Sequence, residues 1–448
     1  MNNSIKLKEE SIHKLLIHYS IPAIVGIVCF ALYNVVNRIF IGRGPGILAI
    51  AGISITFPFF IIIMACGMLV GIGSGSLISI RLGQDKKEEA EKILGNAFTL
   101  FLIISIALTT LGFIFMDHFL ILFGASAKTL PYAKDYMHII LAGSLFSFIS
   151  MGMNNLIRAE GNPNIAMKTM LIGAILNIIL DPIFIFGFNW GVKGAAIGTV
   201  ISNCVSAVWV LYHFTAGKSF LKLQFKNMKL DFKIILPALG IGLSPFLMQL
   251  TASFTTVISN NTLGYYGGDV AITAMAIINS LTMFFLMPVI GIAQGSQPII
   301  GYNYGAKIYT RVKKTLSLSI ISGTIVSLTG FLLVMLFPEF LIKMFSTKNP
   351  ELIHVGVQGL QIFLLMLPLI GLQIIGGSYF QAVGKPKKSI FLNLLRQVVL
   401  FIPFLIILPQ FWGLTGIWLV GPFTDCISFL ITAGFLVFEI KNLDGKKI

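Results

Sequence analysis

Apolar stretches of about 20 residues recur along the whole chain, each long enough as a helix to cross about 30 Å of hydrocarbon. Read as spans they number twelve: 15–42, 47–79, 91–116, 132–157, 164–187, 191–216, 232–264, 270–302, 310–337, 352–382, 386–410 and 413–440. Several exceed the bilayer thickness and are expected to tilt or to extend beyond it. Only 11% of the 448 residues are charged, against roughly 25% in a soluble domain, so too little charge exists to cover a water-facing surface. Backbone polar groups in lipid must be satisfied within each segment. The fold class expected is therefore an all-α polytopic membrane protein.

The net charge of +15 invites a nucleic-acid reading until its distribution is examined. With the N-terminus in the cytoplasm, 24 of the Lys and Arg residues fall on cytoplasmic segments, 7 on external ones, and Arg396 lies within a span. That is the positive-inside bias; it predicts both termini in the cytoplasm and makes the basic charge a topology signal rather than a DNA-binding one. The polar start "MNNSIKLKEESIHK" precedes an apolar run too long for a signal-peptide core, so no cleaved segment is expected. Cys29, Cys66, Cys204 and Cys426 stand singly inside apolar runs, which fits small buried residues better than disulfides or a zinc site.

The spans are not independent. "GIGSGSLISIRLG" from Gly71 is echoed by "GIAQGSQPIIGYNYG" from Gly291, "RAEGNP" from Arg158 by "QAVGKP" from Gln381, and "WGVKGAAIG" from Trp190 by "WGLTGIWLV" from Trp412. The offsets are 220, 223 and 222 residues. Each copy holds six spans, an even number, so the copies share one orientation and form two six-helix lobes related by a pseudo-two-fold axis along the membrane normal. The division expected is an N-terminal lobe over 1–217, a basic cytoplasmic linker over 218–231, and a C-terminal lobe over 232–448. Two such bundles make a cavity between them that rocking exposes to each side in turn. No pore-loop or charged-ring signature of a channel occurs. The absence of GxxxxGK[ST], HExxH and GxSxG removes the commonest ATPase, metalloprotease and lipase signals. A carrier is expected, not an enzyme, with no cofactor beyond a coupling ion.

Within the fifth span, "NIILDPIFIF" puts Asp181 in the middle of an apolar helix. A carboxylate at mid-bilayer costs about 2.5–3.5 kcal/mol on insertion scales and normally faces a cavity or a partner. Asn177 lies four residues earlier on the same face, and Pro182 frees a carbonyl one turn back. Tyr33 and Asn37 form another i,i+4 pair in the first span, and Thr199 sits in the sixth. Together these residues offer an oxygen-rich nest; Asp181, Asn177, Asn37 and Thr199 would suit a Na⁺ ion, and Asp181 alone would suit a proton. Asn and Thr also serve in bundles simply as hydrogen bonds between helices. Asp425 is the other deep acid, a substrate contact or a helix anchor. Pro22 either bends the first span or sits in its first turn.

At these residues the chain resembles bacterial members of the MATE (multidrug and toxic compound extrusion) family of ion-coupled efflux transporters. The resemblance spans residues 10–440 and rests on "LYNVVNRIFIG", the "GIGSGS…RLG" end of the second span, the "EGNP" and "VGKP" pair, and "LNIILDPIFIFG". It implies a coupling-ion site at Tyr33, Asn37, Asn177, Asp181 and Thr199, with Pro22 at the family's first-helix hinge. Where archaeal and DinF-like members carry an acid in the first helix this chain has Asn37, so Asp181 is the lone carboxylate of the nest. Gln249 stands where some relatives carry a seventh-helix acid, which argues against ion coupling through the second lobe.

The function expected is an antiporter in a bacterial plasma (inner) membrane, working as a monomer. Na⁺ or H⁺ entering at Asp181 would drive out amphipathic, often cationic, drugs. The substrate cavity is expected between the lobes, lined by the Met- and Phe-rich stretches 147–153 and 281–288, including Met153 and Met287, with polar contacts from Gln249, Asn279, Gln297 and Asp425. The alternatives are a lipid-linked oligosaccharide flippase, disfavoured because Arg396 is the sole basic residue read as deep in a span, and a membrane-embedded enzyme, disfavoured because the six histidines fall near span ends.

Overall fold

The computed structural model describes residues 3–43, 46–345 and 349–445, and their regular secondary structure is entirely helical. The extreme termini, whose cytoplasmic placement the charge bias predicts, lie outside the described residues. Six spans are single long helices: Ile12–Arg43, Ile47–Gly83, Lys87–Ile114, Pro163–Gly187, Gly191–Thr215 and Tyr309–Leu336. Two helical stretches are too long for one crossing. Phe232–Gly305 is 74 residues, about 111 Å if straight, and it is broken at Gly268, where φ is +61°. Pro386–Asp444 is broken likewise at Gly413, where φ is +54°. Each break divides its stretch into two helices, each long enough for a span.

The fourth and tenth spans are bent. Leu130–Ala142 meets Ser144–Ala159 at 61°, and Pro350–Phe363 meets Leu367–Ala382 at 53°. The second restart carries Pro368 in its first turn, where a missing N–H costs nothing. With these two bent pairs the spans total twelve, in two six-helix lobes. Separate apolar cores fill them: one drawn mainly from residues up to Leu221, the others from Leu263 onward.

The turns repeat with the lobes. Among the described residues, eight of the ten with positive φ fall in the pairs Gly46 and Gly268, Asp85 and Lys307, Gly161 and Gly384, and Gly191 and Gly413, all at offsets of 222 or 223, with Gly124 and Asn189 unmatched. A left-handed residue is costly for anything but glycine, so its recurrence at matched places marks the same turn used twice.

The lobes meet through glycines that bring backbones together. A Cβ added at Gly73 would lie 2.0 Å from the Ala238 carbonyl, one at Gly242 1.7 Å from that of Leu69, and one at Gly83 1.9 Å from that of Tyr302. Gly291 and Gly295 receive Ile24 and Ser20 of the first helix. All these approaches lie in the half of the bundle nearer the linker, so the lobes are closed on that side. Pro22 falls between Ser20 and Ile24, well inside an unbroken helix rather than in its first turn.

The linker is not a loose strand. Asn96 donates to the Asn227 carbonyl (3.2 Å) and accepts from the Asp231 amide (2.7 Å), and Thr99 donates to the Met228 carbonyl (2.8 Å). Glu160, fully buried, accepts from His213, from Ser219 and from the Leu221 amide. These bonds strap the linker to the N-terminal lobe.

Candidate functional site

The fifth helix brings Asn177 and Asp181 to one face, one turn apart, and both are buried. Asn177 Nδ2 donates to Asp181 Oδ1 (3.1 Å) and to Thr199 Oγ1 of the sixth helix (3.2 Å), while Thr199 donates to the Ala195 carbonyl (3.0 Å). The sixth helix can come this close because it presents Gly194 and Gly198, four residues apart, a spacing that lets helix backbones touch. A Cβ at Gly194 would sit 2.8 Å from the Phe184 carbonyl group, and one at Gly198 2.4 Å from Asp181 Oδ1. Just beyond Pro182 the fifth helix widens into a π-helical turn, Ile183–Gly187, a local form that often accompanies functional sites.

Two buried oxygens of the Asn177 and Asp181 pair have no hydrogen-bond donor, Asp181 Oδ2 and Asn177 Oδ1, and Asn37 Oδ1 on the first helix has none either. An unsatisfied buried acceptor costs about 1–3 kcal/mol, so the adjacent oxygens of Asp181 and Asn177 favour a cation, or a proton on the carboxylate. On the side away from the linker an apolar cluster of Ile41, Ala49, Ile185, Val192 and Ala195, with Tyr132 and Tyr136 against it, covers the nest.

On the other side the nest adjoins a cavity of about 260 Å³. Tyr33, Asn177 and Thr199 form its upper wall; Met64, Met68, Met151 and Met170 supply flexible apolar surface. Its floor is Asn155, Arg158 and Gln294. Ser147, Phe148, Ser150 and Met151 line it as the 147–153 stretch was expected to, but the cavity lies within the N-terminal lobe. Ile290 and Gln294 are the lining residues from the second half, and none of 281–288 reaches it. The fourth helix, bent by 61°, supplies lining residues from Ser147 to Arg158, facing others from the first, second, fifth and sixth helices.

The other polar residues singled out from sequence fall elsewhere. Met153 is fully buried in the N-terminal core, Met287 and Gln249 are half-buried, and Asn279 is exposed. Gln297 donates to Gln381 (3.0 Å) beside a small polar pocket below the cavity floor. Asp425 accepts from Arg396 Nε at 2.7 Å, so the lone basic residue read as deep in a span is half of an ion pair. Its carbonyl accepts from Gln373 (2.7 Å). The reading that Arg396 stood alone in depth is also corrected by Arg158, buried and facing the cavity. Sequence placed Arg158 just past a span end; the bend of the fourth helix carries it inward.

Comparison with known proteins places these features. The MatE family model matches the chain twice, over residues 22–183 and 245–407, segments offset by nearly the distance between the repeated motifs. The multidrug export protein MepA of Staphylococcus haemolyticus is 30% identical over 438 residues, covering 97% of this chain and 95% of that one. A solved structure of the MATE multidrug transporter DinF-BH superposes with a TM-score of 0.90 at 41% identity, covering 98% of both chains. An outward-facing multidrug resistance MATE transporter of the MOP superfamily superposes with a TM-score of 0.93 at 25% identity, covering 99% of each.

Proposed function

The chain belongs to the MATE family, and from that premise we propose that it is a cation-coupled antiporter exporting amphipathic small molecules across a bacterial inner membrane, as a monomer with its termini in the cytoplasm. The observation that carries this reading is the nest itself: a buried carboxylate, Asp181, whose Oδ2 has no donor, beside the equally undonated Asn177 Oδ1, next to a cavity of drug-compatible lining. Na⁺ or H⁺ is the cargo, entering from outside. When the cation occupies Asp181, Asn177 and Asn37, their oxygens turn towards it, and Thr199 and Tyr33, which also face the cavity, follow. Occupancy of the nest and occupancy of the cavity are thereby linked through shared side chains. The closed linker-side interface through Gly73, Gly83 and Gly242 is the contact that must open for a substrate to enter from the cytoplasm.

The energetics are sufficient. An inward potential of 100 mV contributes about 2.3 kcal/mol per charge moved, roughly a fiftyfold gradient of a neutral substrate. The test is efflux of a fluorescent dye from proteoliposomes with Na⁺ and H⁺ gradients imposed separately, for wild type and Asp181→Asn. Transport driven by one gradient and abolished in the variant is expected. Equal pumping by both proteins would remove Asp181 from the coupling step.

A further inference from the structure

Arg158 presents a problem that helix packing does not solve. It is 9% exposed, and a buried cation is normally paired with an acid. Here Nη1 donates to Gln294 Oε1 and Nη2 to Asn155 Oδ1, both at 2.6 Å and both neutral amides. Glu160, the nearest acid in the chain, is committed to His213, Ser219 and Leu221. Among the described residues no carboxylate pairs with Arg158.

The repeat shows that the fold does not need this charge. "RAEGNP" aligns with "QAVGKP", so the place of Arg158 is held in the second lobe by Gln381, a neutral amide bonded to Gln297. A guanidinium has five N–H donors in a planar fork suited to a carboxylate; two of them account for the recorded bonds, and the residue lines the cavity floor. Along the fifth helix the cavity wall runs from Thr169 to Asn177, about 12 Å at 1.5 Å per residue. One end of it is Asn177, which donates to the fully buried Asp181 behind it, and Arg158 lines the basic end.

We infer that Arg158, with Asn155 and Gln294, is an oxyanion subsite, and that the cavity takes amphipathic zwitterions with their carboxylate at Arg158 and their cationic end towards Asp181. This rests on the export reading for the cavity but adds a substrate class to it. The amides of Asn155 and Gln294 hold the fork in place, and a substrate carboxylate takes donors those amides leave unused. Because Gln294 comes from the opposite lobe, the same subsite is assembled when the linker side is closed.

The test uses the purified full chain and a matched dye pair: the ethyl ester of a cationic rhodamine, and the free acid made by hydrolysing that ester. Binding is followed by fluorescence anisotropy, and the readout is the ratio of the two dissociation constants. Wild type is expected to bind the free acid at least as tightly as the ester. Arg158→Gln should shift the ratio against the acid by about tenfold or more, the loss of one charge-assisted hydrogen bond, and Arg158→Lys by less. A purely structural role would weaken both dyes alike and leave the ratio unchanged, which overturns the inference. If Arg158→Gln does not fold, the dye's carboxamide replaces the variant: equal affinity of wild type for carboxamide and acid also overturns it. Efflux of the ester separates the two readings. Export of the ester without an Arg158-dependent preference refutes this inference alone. Arg158-dependent binding without efflux of either dye under either gradient refutes export and leaves the subsite standing.

Discussion

Gly198 offers the sharpest perturbation of the nest, because the geometry sets the size of the disturbance. A Cβ at this position would lie 2.4 Å from Asp181 Oδ1, whereas ordinary contact begins near 3.4 Å. In Gly198→Ala the sixth helix must retreat, or the carboxylate must swing, by about 1 Å. Either movement stretches the 3.1 Å bond from Asn177 and shifts the oxygens away from a common centre. Overpacking of this kind costs about 1–3 kcal/mol, so the protein is expected to fold with a modestly lower Tm. Misplacement of a functional group by about 1 Å costs up to 10²-fold in activity, so gradient-driven dye efflux should fall by roughly 10- to 100-fold. Gly434→Ala is the matched control: the same atom is added within a helix, with nothing within 4 Å of it. Efflux by Gly198→Ala within twofold of that control, at equal protein per liposome, would refute the argument that helix approach at Gly198 sets the site.

Two further outcomes follow from the buried acids. Glu160→Ala leaves the donors of His213, Ser219 and Leu221 without their acceptor; a loss of about 3 kcal/mol is expected, read as a lower Tm and faster proteolytic cleavage within 216–231, and an unchanged cleavage pattern would show that the linker is held by other contacts. Asp425→Asn weakens its pair with Arg396, whose side chain is 35% exposed. That exposure limits the destabilisation to about 1–2 kcal/mol, and the ion dependence of efflux should persist; loss of ion dependence would move coupling to the second lobe.

Much of the nest is legible in the sequence because its chemistry is local. Asn177 and Asp181 are one turn apart on a single helix, and a carboxylate in an apolar run has few structural reasons to be there. Thr199 is read from the sixth span as a hydroxyl that could join the nest, although its closeness depends on Gly194 and Gly198, whose four-residue spacing is the signal that could have fixed the contact. The cavity beside the nest draws only Ile290 and Gln294 from the second half, for a different reason. Met and Phe stretches at 281–288 have the composition of a lining, but composition does not say which way a helix face points, and the bend between Ala142 and Ser144 has no mark stronger than one glycine. Arg158 escapes a sequence reading on the same account. It stands at the end of an apolar run, and only the bend turns it inwards.

The sequence by itself determined the number of spans and their pairing into two repeats, since apolar length and repeat spacing are properties read residue by residue. The tertiary structure decided which residues line the cavity beside the nest and which charges are compensated. Arg396 finds Asp425 across 29 residues, Arg158 finds only amides, and Gln294 reaches it from 136 residues away. Such outcomes depend on helix rotation and on bends of tens of degrees. Lipid-facing and cavity-facing apolar residues are chemically alike, so hydrophobic patterning does not encode those angles, and packing alone sets them.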